Sequence, residues 1–111
     1  MITVYVRLKL PQDMTRAQWL AHAKRIAGNF REIPGLLRKS FVLGEDGHAG
    51  GLYTWHDRAS AEAFYAGPWR EGIIKMFGAP PQFTWFESPV VVDNEAGEIR
   101  IAVENFERAA A

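Results

Sequence analysis

The sequence contains no cysteine, and this absence excludes several kinds of site. A chain without cysteine has no disulfide scaffold, no thiolate metal site and no cysteine nucleophile. Long apolar runs are also missing, since no stretch approaches the roughly 20 residues that a membrane-spanning helix needs. Residues 1–7 lack the basic and apolar segments of a signal peptide. We therefore expect a cytoplasmic protein with no membrane partner.

An excess of charge of either sign is absent as well. The 111 residues include 13 basic and 13 acidic side chains, so the formal net charge is +0. Because phosphate binding generally requires a basic surplus, we expect no nucleic-acid partner. Apolar residues make up 48% of the chain, which is too many for a disordered protein. The composition and length predict one small folded domain.

Motifs of common enzyme chemistry are lacking too. The chain has no Gly-x-Ser-x-Gly, no glycine-rich phosphate loop and no parallel βαβ unit for a flavin or nicotinamide. His22 has no carboxylate or second histidine at its helical neighbours. His48 and His56 begin and end one predicted strand, which separates them by roughly 26 Å if it is extended. We therefore expect neither a metal site nor a cofactor.

The hydrophobic pattern predicts an α+β fold. Alternation with a period of two predicts strands over 2–9, 36–43, 48–56 and 82–87. Helical periodicity and capping residues predict one helix from Thr15 to the Pro34-Gly35 pair, a second over 58–66, and a further helical piece that begins at Pro68 and stops at Gly78. This β-α-β-β-α-β order is ferredoxin-like, with a four-stranded antiparallel sheet and helices on one of its faces.

Two further features of the pattern concern the sheet. The Gly50-Gly51 pair inside the third strand predicts a bulge or a close approach by a large group. The sheet face away from the helices, which includes Tyr5, is expected to be substantially apolar. Burial of that face against a second copy in a symmetric dimer is the simplest way to cover it.

The chain divides into a domain over 1–92 and an extension over 93–111. A turn over 93–97 and a short strand over 98–103 predict a hairpin in the extension. The tail, 104–111, is either the end of a helix or frayed. We expect this extension to be exchanged with the partner subunit of the dimer.

Several segments between residues 33 and 65 resemble a known group of proteins. They are Pro34-Gly35-Leu36, Lys39, Ala49-Gly50-Gly51-Leu52-Tyr53, Asp57 and Ser60-Ala61-Glu62-Ala63-Phe64-Tyr65. Together they resemble the small YdhR-type proteins, which are assigned as monooxygenases in the dimeric α/β-barrel superfamily, alongside the antibiotic-biosynthesis monooxygenases. These segments make up about a third of the chain, and the strand order over 2–92 is compatible with the same group.

The resemblance implies a homodimer whose two sheets face each other as a barrel, with a pocket between sheet and helices in each subunit. It implies cofactor-independent oxidation of a small aromatic or quinol-like substrate by O2. Two alternatives stay open at this point. One is a non-catalytic dimeric domain that binds a small aromatic ligand in the same pocket, and the other is an isomerase or lyase.

Two residues are candidates for catalysis. Lys39 shares strand parity with Leu37 and Phe41, so it interrupts an apolar face, and its amine could hold a phenolate. Alternatively its stem packs and its amine reaches the edge of the sheet. His56 ends a strand, where the mouth of the pocket could lie, and histidine is a common general base at neutral pH. The alternative for His56 is a solvated turn histidine beside Asp57.

Aromatic side chains are abundant for so short a chain, with four tryptophans, three tyrosines and seven phenylalanines. Such residues suit a pocket for a flat ligand, with tyrosine hydroxyls to orient it. The alternative is that they form the core and the dimer interface. The candidate substrate-binding residues are Phe41, Tyr53, Trp55, Phe64, Tyr65, Trp69 and Trp85.

Overall fold

The computed structural model describes residues 1–102. Its elements are β1 (Ile2–Lys9), α1 (Arg16–Ile26), a 3-10 helix (Ala27–Phe30), β2 (Leu36–Leu43), β3 (His48–Trp55), α2 (Arg58–Tyr65), α3 (Pro68–Phe77), β4 (Gln82–Glu87), β5 (Val90–Asp93) and β6 (Glu98–Ile101). The predicted β-α-β-β-α-β order is confirmed, with the second helix divided into α2 and α3.

The first four strands form one antiparallel sheet in the order β2-β3-β1-β4. In the register of this sheet, Val4 of β1 lies between Tyr53 of β3 and Trp85 of β4. The alternate residues of β1 that share this face are buried, and Ala61 and Tyr65 of α2 pack against them. The helices thus cover one face of the sheet, and the core lies between the two layers.

Helix α1 begins as predicted but ends earlier. The side chain of Thr15 accepts a hydrogen bond from the backbone N–H of Gln18, whose side chain in turn accepts from the Thr15 N–H. The α-helix ends at Ile26 and tightens into a 3-10 helix, where Gly28 and Asn29 are both weak helix formers. The prediction of one helix up to Pro34 was therefore wrong.

The glycine pair in β3 permits a close approach rather than a bulge. The pairing of β1 with β3 is unbroken from Ile2–Trp55 to Lys9–His48. Gly50 has a φ of +152°, and a Cβ at this position would overlap the Val6 carbonyl oxygen of the neighbouring strand. The backbones of β1 and β3 therefore approach each other at a point that only glycine fits.

The irregularity in the sheet lies instead in β2, where the register shifts between Leu36 and Arg38. Because of this bulge, Leu36 takes the place on the helix-covered face that strict alternation gave to Leu37. Leu37 is 50% exposed. Lys39 and Phe41 still share the helix-covered face, since their partners in β3, Tyr53 and Gly51, alternate with the buried Trp55 on that face.

The other face of the sheet is more polar than expected. Tyr5, Val42, Leu52 and Phe86 give it apolar character, and Leu52 and Phe86 are exposed. The remaining positions of this face are mostly polar. They include Thr3, Arg7, Lys9, Arg38, Ser40, His48, Thr54, Gln82 and Thr84. The expectation of a substantially apolar face was therefore only partly correct.

Strands β5 and β6 form a separate two-stranded hairpin. Val90 pairs with Ile101 and Val92 with Ile99, and these four side chains are 57–71% exposed. They form one apolar surface, which we call the outer hairpin face. The division at residue 93 lies inside this hairpin and stays a prediction. β6 ends at Ile101, before the predicted end of the strand 98–103. Residue 103 and the tail, 104–111, lie outside the described residues.

Within residues 1–102, no helix is long and apolar enough to cross a membrane. The longest helix, α1, has 11 residues, about half of what a spanning helix needs. The cytoplasmic location stays a prediction.

Candidate functional site

A cavity of about 370 Å³ lies between the sheet and the helices. Strands β1, β2 and β3 form its floor through Val6, Leu8, Lys39, Phe41, Gly50, Gly51 and Tyr53. The helical layer forms its walls through Trp19, His22, Ile26, Asn29, Phe30, Phe64, Trp69, Gly72, Ile73, Met76 and Phe77, and Ile33 completes the lining. This volume and the mostly apolar lining are typical of a site for a small organic ligand.

Lys39 places a primary amine at the floor of this cavity. Its Nζ lies 3.3 Å from the centroid of the Phe30 ring, 4.0 Å from that of Phe41 and 4.7 Å from that of Tyr53. Among residues 1–102, no carboxylate lies within ion-pair distance of this amine. The amine is therefore held by three aromatic rings and not by an acid.

Burial in these surroundings lowers the pKa of Lys39 from 10.5 to about 7. The physical cause is the loss of water around the ammonium, because an apolar environment disfavours the charged form. The three ring faces act in the opposite direction, since their electron density attracts a cation. At neutral pH the amine is thus close to its midpoint, and it can either accept a proton or stabilise an anion.

Gly51 makes room for this arrangement. A Cβ at Gly51 would lie 2.8 Å from Cε1 of Tyr53 and 2.9 Å from Cε of Lys39. Both distances are shorter than real side chains tolerate, so any larger residue here would push the ring and the lysine stem apart. Gly51 therefore shapes the cavity floor, whereas Gly50 allows the backbones of β1 and β3 to approach each other.

Behind the cavity lies a second layer of aromatic residues. The Tyr53 ring is 1% exposed and stacks on Trp55 with 6.0 Å between ring centroids. Trp55 donates a hydrogen bond from Nε1 to the Tyr65 hydroxyl at 3.1 Å. Burial raises the pKa of both tyrosine hydroxyls above the ordinary value, so both stay protonated at neutral pH. The ring of Trp85 contacts Tyr65 on one side and the guanidinium of Arg58 on another.

The structure brings five of the nine predicted site residues together around one cavity. These are Lys39, Phe41, Tyr53, Phe64 and Trp69. The other three aromatic candidates, Trp55, Tyr65 and Trp85, do not line it. They support its floor and walls from behind, in accordance with the alternative that they belong to the core.

His56 lies outside this cavity. Its side chain is 75% exposed, and its Nδ1 lies 3.4 Å from Oδ2 of Asp57. This placement is that of the alternative interpretation, a solvated histidine in the turn that leads into α2. A ligand bound in the cavity would not contact it.

The sequence reasoning missed His22, which does line the cavity. Trp19, His22 and Ile26 follow the spacing i, i+3, i+7 on one face of α1, and this spacing could have identified His22. Its Nδ1 lies 3.0 Å from Nη2 of Arg25. Its pKa is lowered, first by burial and then by the positive charges of Arg25 and Lys39.

The part of the chain that the structure describes contains no group of three histidine, cysteine, aspartate or glutamate side chains placed to hold a metal ion. Besides the indoles of Trp19 and Trp69, the lining residues with polar side chains are Lys39, His22, Asn29 and Tyr53. One amine, one imidazole, one amide and one phenol suit hydrogen bonding and proton transfer to an organic ligand better than metal binding.

Several solved structures with the same fold are named as oxygenases. A candidate antibiotic biosynthesis monooxygenase from Deinococcus radiodurans matches with a TM-score of 0.65 and 16% identity, over 84% of this chain and 97% of that one. The ActVA-Orf6 monooxygenase of Streptomyces coelicolor, solved with nanaomycin D, matches with a TM-score of 0.63 and 18% identity, over 82% and 89%. SnoaB, a cofactor-independent oxygenase from Streptomyces nogalater, matches with a TM-score of 0.58 and 18% identity, over 78% and 91%.

No family model matches the sequence, and no curated protein matches it significantly. At identities of 15–19% for most of the similar structures, the likeness shows the fold alone, because one fold hosts many functions. It supports the ferredoxin-like fold of the antibiotic biosynthesis monooxygenases. The narrower YdhR-type assignment stays a prediction.

Proposed function

We propose that this protein is a cofactor-independent monooxygenase that oxidises a small, electron-rich aromatic or quinol-like substrate with O2. The observation that carries the proposal is the Lys39 amine, which faces an aromatic cavity without an acidic partner among residues 1–102. The names of the oxygenases that share the fold support it further.

The proposed role of Lys39 is to generate and hold the anion of the substrate. A neutral amine accepts the proton of a phenol or an activated CH2 group, and the resulting ammonium then stabilises the anion beside it. The anion transfers one electron to O2, the substrate radical and superoxide combine, and the peroxide loses water. For a CH2 group, the sum is CH2 + O2 → C=O + H2O. The substrate supplies all four electrons, so no external reductant is needed.

The aromatic residues of the cavity have a second role in this proposal. Phe41, Phe64 and Trp69 offer ring faces and edges to a flat ligand and exclude water from it. The Tyr53 hydroxyl is protonated, so it can donate a hydrogen bond to an oxygen of the substrate. Exclusion of water strengthens the interaction of Lys39 with an anion.

We also propose that the protein forms a homodimer through the outer hairpin face. Four exposed aliphatic side chains on a two-stranded hairpin form an apolar surface that a partner would cover. Val92 and Ile99 pair across the hairpin. The double substitution Val92→Lys and Ile99→Lys should shift the protein from dimer to monomer in sedimentation analysis. Glu95→Lys, in the turn of the same hairpin, should leave the dimer intact. A wild-type monomer at micromolar concentration would contradict the proposal.

Oxygen uptake tests the proposed reaction. Purified protein is offered anthrones, quinols and catechols, without added flavin, nicotinamide or metal. We expect saturable uptake above the spontaneous rate and a product that carries one oxygen atom from O2. Lys39→Met should lower the rate by about a hundredfold or more, in the range of general acid–base contributions. Lys24→Met, at an exposed position of α1, should leave it unchanged.

Other outcomes of this experiment would contradict the oxygenase proposal. Thermal stabilisation by the same compounds without oxygen uptake would favour the non-catalytic binding domain. Turnover that continues without oxygen would favour an isomerase or lyase. Full activity of Lys39→Met would show that the residue is not the base.

A further inference from the structure

The cavity has a second nitrogen base besides Lys39. His22 extends from α1 in the wall of the cavity, whereas Lys39 extends from β2 in its floor. The imidazole packs edge-on against the Phe77 ring of α3, with 6.3 Å between ring centroids. The proposed reaction uses only Lys39 as a base, so it gives His22 no role.

The contact with Arg25 determines which nitrogen of His22 carries the proton. A guanidinium has donors and no acceptor, so at 3.0 Å the Nδ1 atom of His22 must accept a hydrogen bond from Nη2 of Arg25. An imidazolium has no free lone pair at Nδ1, so this contact requires the neutral ring. In a neutral ring whose Nδ1 accepts, the proton is on Nε2.

The charged groups around the ring favour the same neutral form. Arg25 on α1 and Lys39 on β2 are both basic, and both act against protonation of His22. From α3, the neighbours are Met76 and Phe77, which carry no charge. A surface groove outside the cavity is lined by Asp13, Met14, Gln18, Ala21, His22, Arg25 and Met76. Among residues 1–102, Asp13 of this groove forms no ion pair with the His22 ring.

Arg25 approaches the ring from outside the cavity. It lines the surface groove and not the cavity, whereas His22 lines both. The Nδ1 edge of the imidazole is therefore occupied by Arg25. Within residues 1–102, Nε2 has no hydrogen-bond partner, so it is the nitrogen left to a ligand.

We propose that His22 donates a hydrogen bond from Nε2 to an oxygen of the cavity ligand, and that Arg25 is a positioning residue that keeps the ring neutral and oriented. The cavity would then select a flat aromatic compound with two oxygens, a hydroxyl for Lys39 and a carbonyl for His22. This inference rests on the proposed function only in that the cavity binds a hydroxylated aromatic ligand. It does not depend on oxidation.

Nitrogen NMR of the full-length protein tests the first half of the proposal without any ligand. We expect His22 to show a protonated Nε2 and a non-protonated Nδ1 at neutral pH. Arg25→Met should raise the pKa of His22 and shift its Nδ1 resonance, and Arg25→Lys, which retains a donor, should restore most of the difference. A ring protonated at Nδ1 in the wild type would overturn the proposal.

Binding of three fluorescent or absorbing probes tests the second half. Umbelliferone has a phenol and a carbonyl at opposite ends of a flat bicycle, naphthol has only the phenol, and coumarin only the carbonyl. We expect His22→Phe to lower the affinity for umbelliferone about tenfold, as for one lost hydrogen bond of about 1.4 kcal/mol. The affinity for naphthol should change by less than about twofold. His22→Gln retains a donor and should recover part of the loss.

Two controls keep the outcomes distinct. His48→Phe changes a histidine on the opposite face of the sheet and should leave all three affinities unchanged. Lys39→Met should lower the affinity for umbelliferone and naphthol, which carry the phenol, but not for coumarin. Equal weakening of umbelliferone and naphthol by His22→Phe, or failure of the wild type to bind umbelliferone, would overturn the proposal. Selective loss of umbelliferone without oxygen uptake by the wild type would support His22 and contradict the oxygenase.

Discussion

The amine of Lys39 lies 3.3 Å from the centroid of the Phe30 ring, so an aromatic face takes the place that a carboxylate usually has beside a buried lysine. Phe30 reaches this position because α1 ends at Ile26 and the chain continues as a 3-10 helix. A ring attracts the ammonium more weakly than a carboxylate does and does not neutralise it. The amine therefore remains free to exchange its proton and to pair with an anion.

The first prediction concerns stability as a function of pH. The folded pKa of Lys39 is about 7 and its ordinary value is 10.5, so between these values the unfolded chain binds a proton that the folded protein does not. The free energy of unfolding should therefore rise with pH over this window, by at most about 1.4 kcal/mol per unit. Urea denaturation from pH 7 to about 9.5, below the ordinary pKa of tyrosine, measures the slope.

Lys39→Met is the matched comparison for this slope. The pKa of the Met1 amino group is also lowered by burial and contributes a rise of the same sign, but this contribution is common to both proteins. The variant should have a flatter profile and should be more stable than the wild type below pH 7, where the wild type buries a charge. Parallel profiles would show that Lys39 keeps its ordinary pKa.

The second prediction concerns the pH dependence of the proposed reaction. If the neutral amine of Lys39 is the base, kcat/KM should rise as pH increases and level off above about 7. The residual activity of Lys39→Met should not show this rise near pH 7. Any rise at lower pH in the variant would come from another group such as His22. Initial rates of oxygen uptake between about pH 5 and 9 measure the profile. A rate that falls through pH 7 would require Lys39 in its charged form.

The third prediction concerns the cavity floor. Gly51→Ala places a methyl group 2.8 Å from Tyr53 and 2.9 Å from Lys39, so we expect a loss of about 1–3 kcal/mol in unfolding free energy and weaker ligand binding. Gly72→Ala, on α3, meets no atom within 4 Å and should instead stabilise the helix by up to about 1 kcal/mol. Chemical denaturation measures the difference in unfolding free energy between the two variants. Equal unfolding free energies would show that the cavity floor repacks around the new methyl group.

The fourth prediction concerns the aromatic layer behind the cavity. Tyr65→Phe removes the hydroxyl that accepts the hydrogen bond of Trp55 Nε1 at 3.1 Å and leaves a buried donor without its partner. The expected loss is about 1–3 kcal/mol, together with a change in tryptophan fluorescence. Tyr5→Phe, on the opposite sheet face, should change stability by less than about 0.5 kcal/mol. A neutral Tyr65→Phe would mean that the indole finds another acceptor.

Local patterns determined most of the fold. The alternation of Ile2, Val4, Val6 and Leu8 was enough to predict β1 and its buried side, because side chains of a strand point alternately to the two faces. The capping box at Thr15 located the start of α1 correctly, since capping depends only on neighbours within one turn. Similar local signals located the four strands of the main sheet to within a residue at their ends.

The main feature of the sheet that the sequence did not determine depends on contacts between distant segments. The bulge between Leu36 and Arg38 follows from the pairing of β2 with β3, and alternation within β2 does not encode it. The early end of α1 has a local cause, since Gly28 and Asn29 are weak helix formers. A bulge shifts strand parity by one, so Leu36 and Leu37 exchanged their expected faces. Such a shift cannot be read from alternation alone.

The sequence and the tertiary structure each determined a part of the candidate site. The sequence by itself determined that Lys39 shares a strand face with Phe41, because strand parity is a local property. The aromatic rings around its amine, including Phe30 and Tyr53, were placed by the tertiary structure. Only the tertiary structure decided that Tyr65 and Trp85 support the cavity from behind, that His56 is solvated and that His22 enters the lining. These assignments depend on the packing of α1, α2 and α3 on the sheet, which positions side chains that lie far apart in the chain.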